Sequence, residues 1–543
     1  MKSHFIIFAT MLLILSVLYS YGQQNTYSKV FFDEGGSVQV YSLAKSKDHN
    51  FLVAGGRNST SYSNFLYPFF MKTDSLGYMI WGKSFGPDYG VFNVVITTSD
   101  SCFVLAGQKG DNTGVTTDAL ITKINMAGDT LWTRTFDAGQ VETVMAVKET
   151  LDKGFIITGI TKDAYNFSDE IFVCKINSSG NQQWIKISSY GTGWIQANGI
   201  AQAPDSSYFL TGYVSNQPYS SAFLMKLTKD GTLEWFRTIW AGGNFFGTIG
   251  NDVLAVPDGL VLYGFNAGDI PLIFLLKTDF SGNLLWQKGY TCSSLFDLQR
   301  IDGSISPRLF LTSGGSFAFV TTFFTSMSYS FPVGAGDNIF KFSSSGLMEF
   351  KSQIVGIGKD ICETEDGGFI AIGNGPLFAI LSSASGGPQF GFIKTDSSGI
   401  SYCAGPSYNS PDSMDVTFYD ETFSFTSGGT LTAFHPQVVS ATLSSRDGCM
   451  DVSPSVEQHA AEEATMEITP NPSSGKIRIA VHPDVRNVTR LEIYDMKGVL
   501  IYCDPADGSL PNNLDLSGFA DGLYTLRMNW DNKWLCERFM IRR

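Results

Sequence analysis

Five polar residues are spaced along a recurring pattern. Asn93, Glu142, Asn198, Asp252 and Asp360 each sit near the start of an apolar, strand-like segment. If they converge, the carboxylates suit a hard cation or the acid/base work of glycan cleavage. Spread around a solvated channel mouth they would do neither, and the rest of the sequence favours that reading. A second set is aromatic: Tyr62, Tyr67, Tyr165, Trp240, Phe245 and Phe246 lie in segments of variable length rich in Asn, Ser and Gly. Flat ring faces beside amides suit a glycan or a protein partner; the competing account has these rings folding back to cover the ends of sheets. Other chemistry is missing. Past the leader, His49, His435, His459 and His482 show no metal-ligand spacing. There is no G-x-S-x-G, HExxH or phosphate-binding glycine loop, and the Asp-rich turns carry too few ligands for a calcium loop. No catalytic residue, metal or cofactor is expected.

The elements that must position these residues repeat. A strand ends in Lys, a turn with Gly follows, then an aromatic: KTDSLGYMIW from Lys72, KINMAGDTLW from Lys123, KINSSGNQQW from Lys175, KLTKDGTLEW from Lys226 and KTDFSGNLLW from Lys277. Weaker copies begin at Lys341 and Lys394, and the steps are 51, 52, 51, 51, 64 and 53 residues. About 20 residues before each Lys lies a second block, such as GFIITGI near Phe155, which in all but the copy near Phe317 keeps a glycine. Each unit reads as four short strands joined by Asx-Gly turns. A four-stranded sheet of that size cannot bury both faces alone, whereas radial packing face on face buries them and protects the edges. The expected fold is therefore all-β, a seven-bladed β-propeller of about 52-residue repeats over 26–403. The periodic aromatic (Trp81, Trp132, Trp184, Trp235, Trp286, Phe350) is read as a wedge between blades.

Ring closure has two accounts. YSKVFFDEG from Tyr27 resembles the fourth-strand segments, so the N-terminus supplies the outer strand of the last blade; alternatively Ser401 to Ala404 is that strand and the N-terminus an extra edge. The first ties both ends together and is preferred. Alternating strands place the short, regular turns on one face and the variable aromatic loops on the other, where function concentrates.

The N-terminus reads as a signal peptide over 1–22: Lys2, an apolar run from Phe5 to Leu18, and small residues Ser20 and Gly22 before Gln23. As a membrane anchor the run falls short of roughly 20 residues. No later segment is apolar and long enough to span a bilayer. A formal net charge of −14 without a basic cluster argues against nucleic acid. Export permits disulfides. Cys102, Cys174 and Cys362 read as buried small hydrophobes, whereas Cys403 with Cys449 and Cys503 with Cys536 are disulfide candidates.

After Cys403 the repeat stops. Residues 404–452 form a β-rich connector, 453–465 a polar linker, and 466–543 a compact domain whose alternation fits a small Ig-like β-sandwich. Pro470-Asn471-Pro472 with Gly475, Ile493-Tyr494-Asp495 with Gly498, Leu516-Ser517, and Gly522-Leu523-Tyr524 occur in order at the chain end. This set resembles the type A C-terminal sorting domain of the type IX (Por) secretion system of Bacteroidota. The resemblance implies partnership with the Sec and type IX machinery, passage through the periplasm, and surface display or release. The repeats resemble propeller repeats found upstream of such domains, which carry no catalytic residues to transfer. Two functions remain: a non-catalytic binding or adhesion scaffold for a glycan or protein, which is favoured, and a propeller hydrolase or lyase acting on extracellular polysaccharide.

Overall fold

The computed structural model describes residues 26–542 except 34–35, 59–64, 87, 111–115, 139–140, 163–168, 191–192, 216–219, 241–246, 267–271, 292–307, 324–325, 329–330, 334–335, 355–356, 375–389, 401–405, 408–416, 422–424, 428–429, 442, 448–464, 483–487, 496–499, 505–512 and 531–532. The leader, Tyr62, Tyr165, Phe245, Phe246, Cys403, Cys449 and Gly498 lie outside the described residues. Among those described, every regular element is a strand.

The third repeat shows how the sequence makes a blade. Val141–Glu149, Phe155–Lys162, Asp169–Ile176 and Gln182–Ser189 pair antiparallel in that order. Side chains alternate across the sheet. Ile157, Phe172 and Cys174 therefore join the cluster shared with blade two, while Ile156, Ile171 and Val173 join that shared with blade four. Both faces are dry, so the strands read as continuous apolar runs. The turn after Ile176 closes because Asn177 Oδ1 accepts the N–H groups of Ser179 (3.0 Å) and Asn181 (2.9 Å), and Gly180 takes a φ of 77°.

Among the described residues seven groups of four strands pair in this way, two of them joined into one larger sheet by the bridge between Val141 and Thr117. Blade seven is completed by the N-terminal strand Tyr27–Phe32, which pairs with Phe390–Thr395. Its Tyr27 takes the wedge position. The turn glycine of each blade faces the aromatic of the blade before: a Cβ on Gly128 would lie 2.7 Å from Trp81, on Gly180 2.8 Å from Trp132, on Gly399 2.4 Å from Phe350, and on Gly77 2.9 Å from Tyr27. The repeat Lys is structural too. Lys175 is buried and donates to both carboxylate oxygens of Asp152 (3.0 Å) in the first turn of its own blade. Lys72–Asp48, Lys123–Asp100, Lys277–Asp258 and Lys394–Asp366 repeat the pair at 2.6–2.9 Å. Blade six has Ser and Gly in that turn, and there Lys341 turns to Glu349 (3.1 Å) instead.

The segment after the last repeat belongs to the same compact unit, which extends to Met450. It runs around the outside of the propeller. Pro406–Ser407 pairs with the outer strand of blade six, Thr417–Glu421 with that of blade four, Thr426–Ser427 with blade three, Thr430–Ala433 with blade two, Gln437–Ser440 with blade one, and Ser444–Asp447 with Tyr27–Phe32 of blade seven.

The second unit, Asp451–Arg543, packs the sheet Thr465–Thr469, Lys476–His482, Asn513–Asp515 against a four-stranded one around Ile468, Ile479, Leu491, Leu526 and Phe539. The four-stranded sheet corrects one expectation. Cys503 pairs with Glu492, Glu492 with Arg527, and Arg527 with Cys536. The two cysteines thus occupy one row on opposite edge strands, three strand spacings or roughly 14 Å apart, against a Cα separation of about 4.4–6.8 Å for a disulfide. They do not bond to each other.

Candidate binding face and an acidic trio

The five polar residues at the inner strands are not solvated channel residues, a correction to the sequence reading: all five are at most 5% exposed. For four of them the cause is a recurring β-bulge: Asn93 and Asn198 are the bulged residues, with register shifts at Phe92/Val94 and Ala197/Gly199, and Asp252 and Asp360 directly follow the shifts that begin at Gly250 and Gly358. A bulge re-aims a side chain out of the normal alternation, here toward the next blade. Asn93 Nδ2 donates to Val144 O (3.1 Å) and Asn198 Nδ2 to Gly250 O (2.8 Å). Asp252 accepts the N–H of Leu309 (2.9 Å), and burial pushes its carboxyl up against the pull of Lys148, these backbone donors and Arg308.

Asp360 does the same at the seam where the ring closes, accepting from Leu43 N (2.8 Å) and Ser42 Oγ (2.9 Å) of blade one. Arg308, on the approach to the inner strand of blade six, ion-pairs with Asp360 and donates to Leu43 O (2.6 Å) and Val95 O (2.8 Å). One guanidinium thus ties blades six, seven, one and two together. The sequence offered no sign of Arg308, because the inner strand of blade six lacks the usual pattern.

Glu142 differs. It lies fully buried at the start of the inner strand of blade three and accepts from Thr161 Oγ1 (2.9 Å). A parallel bridge, Val141 to Thr117, brings it beside the third strand of blade two. One carboxylate oxygen each from Asp118, Asp137 and Glu142 then falls within 4.8 Å of the others, on the loop face. Among the described residues these three are the group able to hold a cation, yet three oxygens fall short of the roughly six to eight that calcium takes. As an acid/base pair plus a third carboxylate, the trio has the residue types for proton transfer. Asp118 and Asp137 were missed in the sequence because only the inter-blade bridge brings Glu142 beside them.

Of the aromatic set, Tyr67 and Trp240 are described. Tyr67 opens the third strand of blade one and lies 5.2 Å from Tyr89, which stacks on Phe65 at 4.4 Å. Burial and the neighbouring Tyr89 phenol push the Tyr67 phenol up. Trp240 ends the outer strand of blade four with 46% exposure. Trp194, which sequence reasoning missed, begins the inner strand of that blade with 43% exposure; its only signal was a lone aromatic at the first position of such a strand. Register places Trp194 opposite Ser215 and Trp240 one row over, so the two project from opposite faces of the sheet and form no single platform. The regular-turn face carries contacts between blades: Arg134 Nε donates to Gly180 O (2.9 Å), Arg237 Nη1 to Gly282 O (3.0 Å), and Trp132 Nε1 to Ser178 O (3.2 Å); it also exposes Leu76, Tyr78 and Leu151.

In the C-terminal unit the motif residues tie the first turn to the last strand. Asn471 Oδ1 accepts from Met540 N (2.9 Å), and Ser473 pairs through its backbone with Met540 and Arg542. Gly475, at φ 109°, lies where a Cβ would meet Ser517 at 2.9 Å. Tyr524 donates its hydroxyl to Ala520 O (2.7 Å), pinning the turn before Gly522–Trp530. Pro470 and Pro472 flank Asn471.

Residues 467–542 match the secretion system C-terminal sorting domain. No curated protein matches the chain. Among solved structures, a protein of unknown function from Bacteroides caccae is similar over 56% of this chain and 93% of its own (12% identity, TM-score 0.34). The periplasmic gluconolactonase PpgL of Pseudomonas aeruginosa is similar over 60% and 94% (12% identity, TM-score 0.37). Sqt1 of Chaetomium thermophilum is similar over 67% and 98% (8% identity, TM-score 0.36). The C-terminal unit is a type IX sorting domain, and the protein is exported by that route to the cell surface or extracellular space. Among the described residues no helix is long and apolar enough to cross a membrane.

Proposed function

We propose that the exported propeller is a non-catalytic scaffold that captures an extracellular glycan or protein on its loop face, in a protein of Bacteroidota origin. The contrast between the two faces carries this reading. The regular turns carry Trp–Gly, Arg–carbonyl and Lys–Asp contacts and expose mainly aliphatic side chains such as Leu76, Leu151 and Leu347 beside Tyr78, whereas the loop face exposes Trp194 and Trp240 and presents the Phe65–Tyr89–Tyr67 stack. Exposed aromatics on rigid strands bury large area at little entropic cost when a ligand docks. Capture on glycan and protein arrays by the mature protein tests it. Trp194→Ala/Trp240→Ala should lose at least about tenfold in affinity, the worth of roughly 1.4 kcal/mol; unchanged capture would sink the reading. The acidic trio supports a second reading, a hydrolase or lyase for extracellular polysaccharide. Chromogenic polysaccharides separate the two, because only an enzyme releases dye.

A further inference from the structure

The strand that closes the propeller ring is held by its pairing, by the burial of Val30 and Phe31 and by the packing of Tyr27, and the segment after the last repeat ends on it. Tyr27–Phe32 lies between Phe390–Thr395 and Ser444–Asp447, with Val30 opposite both Gly391 and Arg446. On its way there the segment visits the blades in the reverse of their chain order, adding an antiparallel fifth strand to each that it is described against. Between strands it sets apolar side chains into the outer ends of the inter-blade clusters. Phe425 joins the cluster of blades three and four, Leu431 that of two and three, Phe434 that of one and two, and Ala441 with Leu443 that of seven and one. Ala441 N donates to Gly82 O (2.8 Å), Phe434 N to Thr133 O (3.2 Å), and Thr432 and Thr135 share a hydroxyl bond (2.9 Å).

We propose that the described strands from Pro406–Ser407 to Ser444–Asp447 form a clasp that locks the ring shut. Ser444–Asp447 has the N-terminal strand as its partner, so it docks only once the ring is closed. Once docked, it must leave before or together with Tyr27–Phe32 when that strand peels from blade seven. Without it that strand becomes the exposed edge of the last blade, with Ala441 and Leu443 withdrawn from the seam behind it; open edges of this kind fray and pair with foreign strands. Asp360 and Arg308 bridge blades seven and one, whereas the clasp guards the pairing of Tyr27–Phe32 with Phe390–Thr395, where the ring is closed without a covalent link.

Hydrogen exchange read by mass spectrometry on the mature full-length protein tests this. Ala441→Pro removes the donor to Gly82 O. The expected result is faster exchange in 437–447 and, by about tenfold or more, in Tyr27–Phe32, while the inner strand Val141–Glu149 stays within about twofold. Leu443→Asp, which places a charge in the same seam without touching the backbone, should repeat the pattern. If either variant frees 437–447 and leaves Tyr27–Phe32 unchanged, the clasp does not hold the ring. If neither variant folds, the wild type in rising urea decides: Ser444–Asp447 must open before or together with Tyr27–Phe32, and opening of Tyr27–Phe32 under a still protected Ser444–Asp447 would overturn the proposal.

Discussion

Adding one methyl group at Gly180 tests the way the blades lock together. Gly180 holds a φ of 77°, and a Cβ there would lie 2.8 Å from Trp132 Cδ2 and 2.9 Å from Cε3. Two costs add. An L side chain in the left-handed region costs about 1–2 kcal/mol. Overpacking against a ring wedged between blades costs about 1–3 kcal/mol more. Gly180→Ala should therefore destabilise the propeller by about 2–5 kcal/mol. In a Trp132→Leu background the second cost disappears, and the same change should cost only about 1–2 kcal/mol. The cycle thus predicts a coupling of about 1–3 kcal/mol. Urea unfolding of the four proteins, followed by exchange of core strands in blades two and three, measures it. An equal cost for Gly180→Ala in both backgrounds would refute the wedge.

The remaining predictions concern charge and export. Asp152→Ala leaves the Lys175 ammonium, 3% exposed, with only Ile176 O (3.0 Å), and should cost about 1–3 kcal/mol in urea unfolding because water still reaches the vacated turn; Lys175→Met should cost less. Partial burial pulls Asp48, Asp100, Asp152, Asp205 and Asp366 up, yet their lysine, hydroxyl and backbone bonds outweigh it and hold each carboxyl below its ordinary value, Asp100 at about 2. Lowered folded values mean stability that is present above the unfolded carboxyl range and lost as pH falls, so the unfolding midpoint should drop between about pH 4 and pH 2, and a flat midpoint there would contradict the pairs. Arg308→Met should cost about 3–5 kcal/mol by leaving the Asp360 carboxylate, 2% exposed, without its cation; Asp360→Asn in the same chain should recover part of it. Deleting 466–543 should leave the protein in the periplasm, detected by fractionation, and undiminished appearance in the medium would contradict sorting by that domain.

What the sequence made legible was local. Alternating apolar runs ending in Lys, Asx-Gly turns and a periodic aromatic recur at nearly constant spacing because each blade solves the same packing problem. The likeness of YSKVFFDEG to fourth strands marked ring closure, since Tyr27 must fill the same wedge as Trp132. Asn93, Asn198, Asp252 and Asp360 were picked out near the strand starts, but their environment was misread, because a bulge re-aims side chains without altering composition. The clasp was legible only as β-rich. Its strands span two to five residues, and their partners lie far away in sequence, as when Asp447 meets Lys29. Asp118 and Asp137 join Glu142 only through a bridge between blades.

The most direct test of the central claim is to recover whatever the loop face captures and weigh it. The mature protein is incubated with extracellular polysaccharides and surface proteins, washed, and the bound material analysed by mass spectrometry. The account predicts a ligand recovered intact, retained by Asp118→Asn/Asp137→Asn and lost from Trp194→Ala/Trp240→Ala. Recovery of cleaved product that vanishes in the carboxylate variant would contradict it and make the propeller an enzyme.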